Sequence, residues 1–108
     1  MFFRSEHHRQ VYMDMADKVQ NRNIEYEAAC YILSAIGKRE MLSFMGNGID
    51  FATMDEEIDL SSGERALLYI AANIFNPHYN HCDMSMLGRL DESNLLVVLE
   101  AIRMRYLP

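Results

Sequence analysis

From Ile24 to Ile36 the chain presents Ile24, Ala28, Ala29, Cys30, Ile32, Leu33, Ala35 and Ile36, so a helix there is apolar around most of its circumference. Such a helix has too little polar face to lie on a surface and belongs at the centre of a core. Its longest apolar stretch, Ala28 to Ile36, is interrupted by Ser34 and is far too short to span a bilayer. Gly37 follows, suited to a left-handed C-cap, and Lys38 and Arg39 come next. One central helix wrapped by others is therefore the expected plan.

Residue choice agrees. Leu, Ala and Met together number 29, against 5 for Val, Thr and Trp combined. Straight-chain residues and Ala lose little rotamer freedom in a helix, whereas β-branched residues fit strands. Asn47-Gly48, the one hairpin-like dipeptide, lacks alternating apolar runs on its two sides. The 108 residues make one domain, spanning 1–108, with enough surface to bury for a core without disulfides or metal. The fold class expected is all-α: a compact bundle of four main helices plus one or two short ones.

The first helix is expected from Ser5, as N-cap, to about Asn21, with His8, Val11, Tyr12, Met15 and Val19 on its apolar face and Phe2 and Phe3 folding back over the start. A short helix over Arg39 to Met45 is closed by Gly46-Asn47-Gly48, and Met54 to Ile58 suits a single turn. Ser61-Ser62-Gly63-Glu64 reads as a capping box opening a helix that Asn76-Pro77 ends near Phe75. Asp83 to Leu87 suits another turn. The last helix opens at Asp91, with Leu90 and Leu95 as a hydrophobic staple, and continues through Leu96, Val98, Leu99, Ile102 and Tyr106. Arg103 and Arg105 near its end suit the helix dipole.

Strings within these elements resemble a family of small uncharacterised Firmicutes proteins. They are Phe2 with His7 or His8, Ala28-Ala29-Cys30-Tyr31-Ile32-Leu33, Gly48-Ile49-Asp50, Leu60 through Arg65, Ala71 through Asn76, Leu90-Asp91-Glu92 and Ala101-Ile102-Arg103. The likeness runs over essentially the whole chain, and members are often carried on mobile elements. It implies a compact helical domain and transfers no functional residue.

Net charge is −6, and it is local. Glu40, Asp50, Asp55, Glu56, Glu57, Asp59 and Glu64 fall in one segment with no base, while the rest of the chain is near neutral. That segment would repel duplex nucleic acid. Two widely separated cysteines, Cys30 and Cys82, make no disulfide scaffold and fit a reducing compartment. With no signal-peptide core at the N-terminus, a cytoplasmic setting and no membrane association are expected.

Chemistry-bearing motifs are few. His78, His81, Cys82 and Asp83 are zinc-ligand types, but a structural site takes four ligands and no second cluster completes it. Asp55, Glu57 and Asp59 match the first positions of a calcium loop, yet Leu60 stands where its Gly belongs and Ala66 where its bidentate Glu belongs. No Ser lies in a nucleophile elbow, and Cys30 sits in an apolar helix that raises a thiol's pKa. No catalytic residue, metal site or cofactor is assigned.

The leading reading is an accessory or modulator acting by protein–protein interaction, a second copy of itself included. Met54, Asp55, Glu56, Glu57 and Asp59 form the candidate partner-binding face, an exposed acidic and apolar patch for a basic partner. Arg39 and Arg65 stand nearby to neutralise part of it. Among nine methionines, Met15 and Met45 fit the core, whereas Met54, Met84 and Met86 fit an adaptable surface. Two alternatives remain: a nucleic-acid-associated regulator built on Arg4, Arg9, Arg103 and Arg105, and a metal- or thiol-dependent enzyme.

Overall fold

The computed structural model describes residues 1–18 and 23–108. They fold into α1 (Glu6–Lys18), α2 (Ile24–Ile36), a first 3-10 helix (Arg39–Phe44), α3 (Phe51–Glu57), α4 (Ser62–Phe75), a second 3-10 helix (Met84–Arg89) and α5 (Glu92–Tyr106). The all-α reading holds, and among the described residues the nearest approach to a sheet is a lone bridge between Met45 and Ile49. Expected features at Val19 and at the end of the first helix up to Asn21 lie outside the described residues.

Helix α2 is the central rod, packed against α1, α4 and α5. Every residue from Ala28 to Ile36 is buried. Asn23 caps its start by accepting the Tyr26 amide at 2.9 Å, and Gly37 ends it at φ 78°. Its buried hydroxyls are all partnered: Ser34 donates to the Tyr31 carbonyl at 2.9 Å, Tyr31 to the Phe2 carbonyl and Tyr26 to the Gly46 carbonyl at 2.9 Å, so no polar cost is left unmet.

Local start signals act as read. The Ser5 hydroxyl accepts the His8 amide at 3.0 Å. In α4 the Ser61 hydroxyl accepts the Glu64 amide at 3.2 Å while the Glu64 carboxylate accepts the Ser61 amide at 2.9 Å. In α5 the Asp91 carboxylate accepts the Asn94 amide at 2.8 Å. The short helix expected over Arg39 to Met45 is present at Arg39–Phe44, wound as 3-10. The turn expected over Met54 to Ile58 is instead a seven-residue α-helix, because Asp50 caps it on the Thr53 amide and Phe51, Met54 and Ile58 supply a buried 3–4 stripe.

At the amino end, Phe3 folds back as expected. Its ring packs on His8, Tyr12 and Tyr31 at centroid distances of 5.0–5.7 Å. His8, 1% exposed, makes an Nε2 hydrogen bond to the Tyr31 carbonyl at 2.9 Å, and its Nδ1 accepts the Arg4 amide at 3.2 Å. The ring therefore carries its proton on Nε2, and burial lowers its pKa.

Candidate functional site

Folding accounts for three of the seven acids in the acidic segment. Asp50 caps α3, with its carboxyl held below the usual range by the Thr53 hydroxyl and amide. Asp55 is half-buried, ion-paired with Arg65 and bonded by the Tyr69 hydroxyl at 2.9 Å. Glu64 serves the α4 capping box and lies 3.4 Å from Lys38. Lys38 takes the place foreseen for Arg39, which pairs with Asp14 of α1 instead. Glu56, Glu57 and Asp59 are exposed.

Met54 corrects the proposed face. It is 0% exposed, pointing into the core between the other two members of the α3 stripe. The exposed acids therefore have no apolar centre. Met86, also expected at the surface, is 7% exposed because the second 3-10 helix turns it inward onto α4. Met84 is at the surface as expected, at 80%.

The His–Cys loop is likewise built from local contacts. Asp83 accepts the Ser85 amide at 2.8 Å and caps the second 3-10 helix. His81 packs its ring on Tyr79 and Tyr69. Cys82 is half-buried, and burial pushes its thiol pKa up. Among the described residues, no three His, Cys, Asp or Glu side chains come close enough to hold one ion.

The feature missed in the sequence is α5. Its inner side buries Val97, Val98, Ala101 and Met104. Its outer side leaves Leu96, Leu99, Ile102 and Tyr106 exposed. The run through Leu96, Val98, Leu99, Ile102 and Tyr106 is thus not one buried face but two faces, of which only Val98 belongs to the inner. The signal was present: a helix with apolar residues on both sides needs two partners. Among the described residues α2 and α4 cover its inner side alone.

Other exposed apolar groups gather on the same side. Phe2, Leu96 and Leu99 line a hollow of about 300 Å³ with Glu100 and Arg103. On the opposite flank, Met84, Leu99, Ile102 and Tyr106 border a groove of about 400 Å³ between α4, the second 3-10 helix and α5, with Cys82 in its wall. Of the nine large hydrophobic side chains exposed among the described residues, six (Phe2, Met84, Leu96, Leu99, Ile102 and Tyr106) line one or other of these two hollows. Contiguous patches of this kind are uncommon on surfaces meant for water.

The charges beside this face are mostly committed. Arg103 pairs with Glu100, holding that carboxyl below its usual range. Arg105 donates to the Ile74 carbonyl at 3.2 Å and lies 3.6 Å from Glu25. Arg4 bonds the Asn94 side chain, and Arg9 pairs with Glu6 at 2.6 Å. The four arginines of the nucleic-acid reading therefore do not form one free basic stripe.

No family model, curated protein or solved structure matches the chain. Among the described residues no helix is long and apolar enough to cross a membrane.

Proposed function

We propose that this chain is a small protein–protein interaction module whose docking surface is the outer face of α5. The observation that carries this reading is the gathering of exposed apolar side chains on and beside one helix, while α2, α4 and the inner side of α5 complete a core without them. Large apolar groups at the centre of a patch with charges at its edge are the makings of an interface. The acids Glu56, Glu57 and Asp59 have charge and exposure but no such centre, and edge charges govern association rate more than affinity.

The test is capture from the native host on immobilised protein, comparing wild type with a Leu96→Glu/Leu99→Glu variant whose circular dichroism matches it. Specific association, with the same chain or another protein, should be lost in the variant. Association that survives both charges would move the docking surface off α5.

A further inference from the structure

We infer that the outer face of α5 pairs with the same face of a second copy of this chain, the two helices running antiparallel about a twofold axis. This rests on the docking reading above and names its occupant.

The seam is readable in the order of its residues. Glu92, Leu96, Leu99 and Arg103 follow one another at spacings of four, three and four, the spacing that keeps side chains on one stripe of a helix facing a partner helix. All four are exposed. From Glu92 to Arg103 is about 16 Å along the axis, three turns. Read forward, the stripe is acid, Leu, Leu, base. Read backward, as an antiparallel copy presents it, it is base, Leu, Leu, acid.

Antiparallel pairing therefore sets Glu92 against Arg103 of the other copy, Leu96 against Leu99, and by symmetry each contact occurs twice. Parallel pairing would oppose like charges at both ends, a repulsive arrangement that selects against it. Neither charge is buried away. Glu92 has no ion pair within the described residues, and Arg103, its side chain 54% exposed, is held only by Glu100 of its own helix. Its five donors can serve a second carboxylate.

A stable interface removes about 800 Å² per partner. The two-leucine seam is too narrow for that alone, but Phe2 widens it on one flank, and Ile102, Tyr106 and Met84 widen it on the other, each between 37% and 80% exposed. Under a twofold axis lying in the interface across the helices, each flank faces the same flank of the other copy, run in reverse.

Sedimentation equilibrium of the intact chain over a wide concentration range tests this, with Leu99→Glu, Glu92→Arg, Arg103→Glu and the Glu92→Arg/Arg103→Glu double variant, each checked for unchanged helicity. The milder Glu92→Gln and Arg103→Gln stand in where a reversal disturbs the helix. Wild type should form a reversible dimer, Leu99→Glu should be monomeric, each single reversal should weaken the dimer about tenfold or more, and the double reversal should recover most of the loss. A dimer indifferent to Leu99→Glu, or a double reversal no better than the singles, would overturn the inference. A wild-type monomer would overturn it too. In that case, capture of another protein that Leu99→Glu abolishes would leave the docking reading standing, and no association of either kind would end both.

Discussion

Val98 and Leu99 are sequence neighbours on adjoining walls of α5: Val98 is 1% exposed and Leu99 is 53% exposed. A helix turns about 100° per residue, so adjacent apolar residues need not share a partner. Here the core ends between them. Val98 belongs to the packing with Val97, Ala101 and Met104, and Leu99 stands at the middle of the uncovered stripe.

Substitutions at the two positions should separate sharply. Val98→Glu places a carboxylate in a dry core without a partner and should cost several kcal/mol, enough to unfold most of the population of a small domain. Leu99→Glu should change the stability of the isolated chain by no more than about 0.5 kcal/mol. Urea denaturation at low protein concentration measures both. Equal costs would mean that Leu99 is internal to the fold.

The helix caps are worth about 1 kcal/mol each. Ser61→Ala removes the acceptor for the Glu64 amide, and Asp91→Ala removes that for the Asn94 amide. Both variants should unfold at lower urea than wild type with unchanged slope. A midpoint that does not move would place those amides in other hydrogen bonds.

Those caps, Gly37 and the buried run of α2 could be read from the sequence because each is decided within a turn or two of chain. Ser61 and Glu64 need only each other, and Ala28 to Ile36 has no polar side to expose. Burial on α3 and α5 could not be read so, because it depends on which elements pack there. Met54 sits among acids in the sequence but on the inner stripe of α3 with Phe51 and Ile58. Leu99 looks like a core residue until α4 and α2 are seen to cover only the other side of α5.

The corrected role of Met54 gives a direct contrast. Met54→Ala leaves a cavity in the core and should cost about 2–5 kcal/mol. Glu56→Gln with Glu57→Gln touches only exposed carboxylates and should stay within about 0.5 kcal/mol of wild type. Thermal or urea midpoints of the two variants decide it; a tolerated Met54→Ala would return that side chain to the surface.

His8 makes stability depend on pH. Its pKa is lowered in the folded chain, chiefly by burial, from the ordinary 6.5. The unfolded chain therefore binds the proton more readily, and stability rises with pH across that window. The contribution is complete above about pH 6.5 and is lost as pH falls from there toward the folded value. His8→Gln should flatten the slope of the denaturation midpoint just below pH 6.5. A slope identical in wild type and His8→Gln would show that the ring is not buried neutral.

The pairing of α5 with its copy is tested most directly by the dependence of thermal stability on protein concentration. Association that favours the folded state raises the unfolding temperature by mass action. Wild type should therefore unfold at progressively higher temperature as the protein is concentrated, while Leu99→Glu should unfold at one temperature throughout. A wild-type midpoint that stays constant from dilute to concentrated solution would contradict the account.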